Sequence, residues 1–286
     1  MESAIPTASP ESVRRPHIAA RVVRVYLEFV GRQILRVTET IHGLGAFALI
    51  TAGVVVTKFN HASRLIHPQV RNQIHLAGVR LLPMVFFIGL ALGLVVIGQM
   101  VALLTRFGVQ NLVGTVMVTV VVRELGPIIA ALTVLIRVGT PTVIELGTAR
   151  AQGEVEALEA LGIDPIHYLV VPRVIGLGLS IFGLTVYLIL VSLASGYLVA
   201  FLQDVPLLPL EYLKQISVAL MWQDFVLLAF KTTLFGALIA TVTCFQGLAL
   251  PLRLEEVSQA ATRAVTHSVV GCVILDVVFI ITYLLL

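Results

Sequence analysis

The stretch VMVTVVVRELGPIIAALTVLIRVG, residues 116–139, decides the fold class of this protein. It is apolar enough and long enough to cross a bilayer as a helix, which takes about 20 residues. Arg123, Glu124, Gly126 and Pro127 nevertheless lie in its middle. Charged residues at that depth are costly and almost always face the interior of a helix bundle or a water-filled cavity. The stretch therefore predicts a transmembrane helix that carries a polar site inside a membrane protein.

The composition agrees with a membrane environment. Hydrophobic residues make up 58% of the chain and charged residues 12%, and the mean hydropathy is +1.01. Soluble domains have about twice that share of charged residues. The sequence therefore predicts an all-α polytopic membrane protein, with five transmembrane helices in a domain over 81–286. The predicted spans are residues 81–105, 112–136, 168–202, 225–250 and 266–286.

The residues before the first span are predicted to be a disordered tail and an interfacial or re-entrant helical region. Residues 1–16 are polar and rich in Pro and Ser, and we expect them to be the tail. The region 17–80 opens with a basic amphipathic helix at 18–37, which suits anionic headgroups. A soluble helix packed on a partner is the alternative. The apolar run 41–57 only reaches the lower limit for a span, and we interpret it as interfacial or re-entrant.

The distribution of Lys and Arg predicts a cytoplasmic N-terminus. With five crossings in that orientation, fifteen of the nineteen basic residues fall in inner segments, and only Arg106 and Lys214 fall outside. Inner loops of membrane proteins carry such an excess. If 41–57 also crossed while the later spans stayed fixed, the count would fall to nine against eight. In this topology residues 203–223 form the longest outer loop.

The largest inner loop lies between spans two and three, and it is predicted to contain a cytoplasmic amphipathic helix over residues 147–161. Val155 and Leu158 belong to its apolar stripe, and the helix ends where Gly162 and Pro165 stop it. Because it is bracketed by two spans, we expect this stripe to need a partner, as in a helix that couples a transporter to a cytosolic motor. A helix lying on the bilayer is the alternative. The residues assigned to this coupling helix are Gln152, Glu154, Val155, Glu156, Leu158 and Glu159.

Three ordered segments carry a resemblance to a known family. They are RELGPIIAAL at 123–132, IELGTARAQGEVEALEALGIDPIHYLVVPRV at 144–174 and ATRAVTHSVVGCVILD at 261–276. They look like the MlaE/YrbE family of permeases, the membrane subunits of MCE-associated ABC transporters that move phospholipids and other lipids across the bacterial envelope. The resemblance implies a homodimer in the inner membrane with two ATPase subunits beneath it. It also implies a periplasmic ring of MCE proteins and, often, a STAS-domain protein on the ATPase.

The same resemblance implies a lipid pocket near Arg123 at the dimer centre. A phospholipid has a charged head and apolar tails, so we expect Arg123 to contact phosphate and Glu124 to balance it or to contact an amine. Lys231 resembles the family's intramembrane lysine and adds a second phosphate contact. Asp276 is assigned to the same lipid site, where we expect it to share Arg123 with the lipid phosphate. The alternative is that Arg123 pairs structurally with Asp276, at similar depth in the fifth span, with Glu124 as a neighbour.

Two features of the helices accompany this site. Pro127 frees the carbonyl of Arg123 from its helical hydrogen bond, so we expect the helix to bend or widen at Gly126 and Pro127. Gly89 and Gly93 are four residues apart and permit close approach of another helix. That approach serves either a dimer contact or packing within the subunit.

Sequence motifs of catalysis are absent. The chain has no Ser/His/Asp constellation, His/Cys metal cluster or phosphate-binding GxxxxGK[ST] loop, and we expect no catalytic residue, metal or cofactor in it. ATP and magnesium are expected on the partner ATPase, and no nucleic-acid module is present. Two rival functions are a stand-alone secondary transporter with Glu124 and Asp276 as a proton relay, and a structural scaffold for the MCE protein. The lack of an inverted repeat argues against the secondary transporter.

Overall fold

The structure is a computed structural model of a helical chain. It describes residues 42–54, 63–109, 112–202, 209–248 and 254–285. These ranges are almost entirely helical and contain no β-strand. The predicted tail at 1–16 and the predicted amphipathic helix at 18–37 lie outside the described residues. The chain divides into one compact unit at Met1–Ala46 and a second at Phe47–Leu286, and the bundle described below belongs to the second.

Five helices are long and apolar enough to cross a membrane, which confirms the predicted all-α fold. In chain order, spans 1 to 5 are His67–Arg106, Val113–Ala151, Ile166–Leu202, Trp222–Leu248 and Val257–Leu285. A shorter apolar helix, His42–Val54, precedes them. At about 1.5 Å per residue this helix is only ~20 Å long, less than the thickness of a hydrocarbon core.

Spans 1, 2 and 3 combine several helical types. Span 1 continues the α-helix Ser63–Ala77 through a 3₁₀ turn at Val79–Leu81, an α-helix at Leu82–Leu92, a π-helix at Gly93–Ile97 and an α-helix at Gly98–Arg106. Span 2 is α at Val113–Met117, π at Val118–Leu125, α at Gly126–Val134, π at Leu135–Gly139 and α at Thr140–Ala151. Span 3 opens with a π-helix at Ile166–Val170 and continues as the α-helix Val171–Leu202. Spans 4 and 5 are single α-helices, and a 3₁₀ turn at Leu254–Glu256 leads into span 5.

Prolines mark the changes of helical type in span 2. Each π-helical stretch gives way to an α-helix that carries a proline in its first two positions, Pro127 in one case and Pro141 in the other. Proline has no N–H to bond the carbonyl four residues earlier, so the regular ladder is broken just before it. A wider turn there is a common way to accommodate the break.

Small residues let span 3 pack closely against spans 1 and 4. A methyl group added at Gly93 would overlap Ser195 Oγ and the carbonyl oxygen of Ser192, both on span 3. Gly89 faces the same helix, and a Cβ there would lie 3.2 Å from the carbonyl oxygen of Leu188. Of the two roles considered for Gly89 and Gly93, the structure therefore shows packing within the chain. Such close contacts between small residues hold helices together in lipid, where no hydrophobic force does so.

The segment predicted as one helix over 147–161 is divided in the structure. Span 2 continues to Ala151, and a separate short helix occupies Glu154–Ala160. Gly153 separates them with a φ of 79°, a left-handed conformation that glycine adopts at little cost. The apolar spacing runs through this break, which is why the pattern alone indicated a single helix.

The connection between spans 3 and 4 contains a helix where the sequence indicated a loop. This connecting helix, Pro209–Ala219, buries Tyr212 and Ile216, which are four residues apart and therefore share a face. The Tyr212 hydroxyl donates to the carbonyl oxygen of Leu193, 3.0 Å away on span 3. Burial raises the pKa of Tyr212, so the phenol stays a hydrogen-bond donor. The connecting helix is thus held on span 3.

Candidate functional site

A cluster of charged side chains lies inside the bundle, between spans 2, 4 and 5. Adjacent residues on a regular α-helix are rotated by about 100°, yet Arg123 and Glu124 both reach span 4. Arg123 contacts Asp224, and Glu124 contacts Lys231. These two partners are seven residues apart, about two turns, and so share one face of span 4. The π-helical stretch Val118–Leu125 is the part of span 2 that presents both charges to that face.

Lys231 is the centre of the cluster. Its side chain is fully buried, and its Nζ lies 2.6 Å from Asp276 Oδ1 and 3.1 Å from Glu124 Oε2. Nζ also donates to the carbonyl oxygen of Arg123 at 2.8 Å. The ammonium thus donates hydrogen bonds to Glu124 and to the Arg123 carbonyl oxygen, and it forms a close ion pair with Asp276. Because Pro127 has no N–H to offer the Arg123 carbonyl in an α-helix, Lys231 supplies a donor where the ladder is broken.

Arg123 forms the second ion pair of the cluster. Its Nε lies 2.9 Å from Asp224 Oδ1, and its Nη2 lies 3.2 Å from Asp224 Oδ2. The Nη2 contact is a charge-assisted hydrogen bond, and the Nε contact is a close ion pair. The guanidinium also lies 5.0 Å from the ring centroid of Tyr283 on span 5, within cation–π range. Arg123 is therefore fixed by both neighbouring spans.

Exposure divides the five charged residues into two groups. The side chains of Lys231, Asp224 and Asp276 are 0%, 3% and 9% exposed, so they form the buried part of the cluster. Arg123 and Glu124 are 25% and 27% exposed. Only these two present charge to a ligand without rearrangement of the bundle. Lys231, predicted as a second phosphate contact, has no free surface in this arrangement and is already paired with Glu124 and Asp276.

Two cavities flank the Arg123–Asp224 pair. One has a volume of about 790 Å³ and lies between span 3, span 4 and the connecting helix; its wall is almost wholly apolar, and Asp224 is its only charged residue among those described. The other has a volume of about 650 Å³ and is lined by polar groups that include Arg123, Glu211 and Lys214. Their sizes fall within the usual range for small-molecule sites. The site thus places charged groups next to a large apolar hollow.

The pairing differs from the structural alternative considered from the sequence. Arg123 pairs with Asp224 and not with Asp276, which pairs with Lys231 instead. Asp276 was considered as the partner because it lies at a similar depth in the bilayer to Arg123. Depth alone does not determine which helix faces pack against each other. Asp224 was missed because it lies at the first turn of span 4. The seven-residue spacing of Asp224 and Lys231 was the available signal, since it puts both on one helix face.

The predicted coupling segment packs partly on its own chain. Val155 is 4% exposed and belongs to a small core with Leu146, Val170 and Leu248. The apolar stripe therefore does find a partner inside the protein, contrary to the expectation from the pattern. Leu158 is half-buried and lines a cavity of about 370 Å³ beside Val155. The polar residues assigned to this segment, Gln152, Glu154, Glu156 and Glu159, are all exposed.

Five apolar helices around a partly exposed charged cluster, with cavities of ligand size beside it, define an α-helical membrane permease. A family model described as Permease MlaE matches residues 70–282. The chain therefore belongs to the MlaE permease family, which confirms the resemblance inferred from its motifs.

Individual relatives agree with the family assignment. The chain is 30% identical to a probable ABC transporter permease protein of Rickettsia prowazekii over 243 residues, which are 84% of this chain and 90% of that protein. It is 27% identical to the intermembrane phospholipid transport system permease protein MlaE of Haemophilus influenzae over 259 residues, 90% of this chain and 96% of that protein. It is also 33% identical over 199 residues to the chloroplastic protein TRIGALACTOSYLDIACYLGLYCEROL 1 of Arabidopsis thaliana, covering 67% of this chain and 53% of that one.

Proposed function

We propose that this chain is the membrane subunit of an ABC transporter that moves phospholipids between the bacterial inner membrane and a periplasmic MCE protein. The observation that carries this proposal is the partial exposure of Arg123, whose ion-pair partner Asp224 lines an apolar cavity of about 790 Å³; the neighbouring Glu124 is exposed to a similar degree. A guanidinium suits a phosphate group, and a carboxylate accepts hydrogen bonds from an amine. The apolar wall suits acyl chains. The site therefore has the amphipathic character of a phospholipid.

The hydrogen-bond inventory indicates how a phosphate would be held. Arg123 has five donor hydrogens, and Asp224 accepts a hydrogen bond from one of them, on Nη2. Displacing Asp224 would leave a buried carboxylate without its cationic partner, which is costly although the Met221 N–H still bonds it. A lipid phosphate is therefore expected to add to the free edge of Arg123 while the Asp224 pair stays intact. Lys231 keeps the bundle in register and does not touch the lipid.

The partners follow from the proposed class. We propose a homodimer served by two ATPase subunits, which hold the ATP and magnesium, with an MCE ring on the periplasmic side and a STAS-domain protein on the ATPase. With a cytoplasmic N-terminus, the segment 151–165 faces the cytosol. Its exposed Glu154, Glu156 and Glu159 and the half-buried Leu158 then offer the ATPase an acidic surface with an apolar centre.

The test of this proposal is Glu124→Gln in the complete transporter. The complex, with its ATPase and MCE partner, is reconstituted in liposomes, and transfer of a labelled phospholipid to the MCE protein is followed with ATP. Loss of one charge-assisted contact is worth about 1.5–3 kcal/mol, so transfer and bound lipid should fall by roughly tenfold or more. Dimer formation and ATPase binding should be unchanged.

A matched control is Glu255→Gln. Glu255 is an exposed carboxylate just before span 5 and about 30 Å along that helix from Asp276. It should leave transfer unaltered. Arg123→Ala should reduce both folding and transfer, because it removes the cationic partner of the buried Asp224. Wild-type transfer and lipid content in Glu124→Gln would refute the lipid assignment, and transfer driven by a proton gradient without the ATPase would support a secondary transporter instead.

A further inference from the structure

A second polar cavity lies between spans 1 and 2, away from the charged cluster. It has a volume of about 480 Å³, and Arg80, Met84, Arg137, Thr142 and Glu145 are among the residues that line it. Arg137 follows Arg123 by fourteen residues, which is about 21 Å along a helix. The cavity therefore lies towards the end of the bundle that carries the short helix Glu154–Ala160, and it takes no part in the site described above.

The two arginines of this cavity, Arg80 on span 1 and Arg137 on span 2, have no acidic partner among the described residues, unlike the remaining cations of spans 2 to 4. Arg123, Arg150, Arg173 and Lys231 each lie within 4 Å of a carboxylate. Neither Arg80 nor Arg137 has a carboxylate contact in the part of the chain that the structure describes. Arg137 Nε donates to Met84 Sδ at 3.3 Å, and a thioether is a weak acceptor. Two guanidinium groups thus line one cavity with almost all their hydrogens available.

The one acidic residue of the cavity is already engaged. Glu145 Oε1 accepts from Arg173 Nη2 at 2.9 Å, and Arg173 itself is only 5% exposed. Arg173 also donates to the carbonyl oxygen of Leu169 at 2.8 Å, which holds it in place. The charge of Glu145 is therefore balanced from outside the cavity, and the two arginines leave the cavity positive.

The position and the wall of this cavity indicate which kind of anion it binds. Arg80 immediately precedes the apolar run that begins at Leu81, and Arg137 lies at the end of the apolar run of span 2, so both are at the level where a bilayer's headgroups meet its hydrocarbon. The cavity wall is about equally polar and apolar, with Leu76, Leu81 and Met84 on its apolar side. Basic pockets of this kind between transmembrane helices bind lipid headgroups.

We propose that Arg80 and Arg137 bind the headgroup phosphate of an anionic phospholipid from the surrounding leaflet, with its acyl chains along span 1. This lipid is a bound component of the bundle and not the transported cargo. The proposal requires only that the chain is in a membrane. It can therefore be correct or wrong independently of the proposed transport function.

The test uses the single tryptophan of the chain. Trp222 lies at the start of span 4 and is replaced by Phe, and a new tryptophan is introduced as Val79→Trp, at a half-exposed position next to Arg80. The full-length protein is placed in phosphatidylcholine nanodiscs with increasing fractions of phosphatidylglycerol, and either lipid is brominated on its acyl chains. Quenching of the new tryptophan then reports which lipid occupies the neighbourhood of Arg80.

In this background we expect phosphatidylglycerol to be preferred over phosphatidylcholine by roughly fivefold or more, since each arginine near anionic lipid strengthens binding severalfold. Arg80→Gln with Arg137→Gln should abolish the preference. Arg80→Lys with Arg137→Lys should keep part of it, because charge is retained and the planar fork is lost. The control pair Arg106→Gln and Lys214→Gln removes two exposed cations elsewhere and should leave the preference unchanged.

Two results would overturn the proposal. Equal quenching by both lipids in the Val79→Trp protein would show that no anionic lipid is selected, and this result does not depend on whether the glutamine variants fold. Loss of the preference on adding inorganic phosphate, but not chloride at the same ionic strength, would mean that the arginines bind free phosphate and not a lipid.

Discussion

Replacing Lys231 by methionine should destabilise the bundle far more than an exposed lysine does. Lys231 is fully buried, donates hydrogen bonds to Glu124 and the Arg123 carbonyl oxygen, and forms an ion pair with Asp276. Methionine fills a similar volume but leaves two carboxylates and one carbonyl without their donor. Removing one partner of a buried ion pair costs about 3–5 kcal/mol, because the remaining charge stays buried and unpaired.

The physical reason is tested by removing the stranded charges as well. In the triple variant Lys231→Met, Glu124→Gln, Asp276→Asn, no unpaired charge remains, and neutral replacements of buried ion networks are often tolerated. The triple variant should therefore be more stable than Lys231→Met alone, although it changes two more residues. If lost packing were the cause of the destabilisation, each further substitution would lower the stability, and the triple variant would be the less stable of the two.

Equilibrium unfolding in mixed detergent micelles, followed by far-ultraviolet circular dichroism, measures both effects. Lys214→Met on the connecting helix is the matched control, and it should change the free energy of unfolding by less than about 0.5 kcal/mol, as exposed substitutions usually do. A cost below about 1 kcal/mol for Lys231→Met, or a triple variant less stable than the single one, would refute the view that Lys231 holds this cluster by charge.

Three further predictions concern coupling, topology and packing. Leu158→Asp, at a half-buried position of the segment assigned to the ATPase, should abolish co-purification of the ATPase while membrane insertion persists, and unchanged co-purification would contradict the assignment. A cysteine introduced as Ser12→Cys should be protected from impermeant thiol reagents outside intact spheroplasts, since the charge count places the N-terminus inside; Cys244 and Cys272 are buried and give little background. Gly93→Ala should cost about 1–3 kcal/mol in the same unfolding assay, because its methyl group overlaps span 3, whereas Gly183→Ala, with open space around it, should be neutral.

The number of spans could be predicted because it depends only on the local hydrophobicity of the sequence. An apolar run of about 20 residues is visible in the sequence whatever it packs against. The ends of the spans were harder to predict. Span 2 continues to Ala151, well past its apolar run, because Val143 packs on span 5 and Leu146 packs on span 4. The connecting helix could not be predicted because its position depends on tertiary contacts, those of Tyr212 with span 3 and of Gln215 with Gly114 of span 2.

The identity of the charged residues could be predicted, but their partners could not. Arg123, Glu124, Lys231 and Asp276 stand out because charges are rare within spans, and the structure brings these four into one region. Pairing depends on which helix faces meet, and no spacing within span 2 or span 5 determines that. The break at Gly153 is similar, because a positive φ leaves the periodicity of the surrounding residues unchanged.

The contact between Lys231 and the Arg123 carbonyl constrains how this sequence can change over time. A carbonyl oxygen has two lone pairs, so the N–H of any residue other than proline at position 127 could bond it beside Lys231. With proline at position 127, loss of the ammonium at position 231 removes the side-chain donor of this oxygen. The lysine is therefore constrained as long as the proline is present. A natural relative that has lost the lysine is expected to have lost the proline as well, so the two positions should covary although 104 residues separate them in the chain.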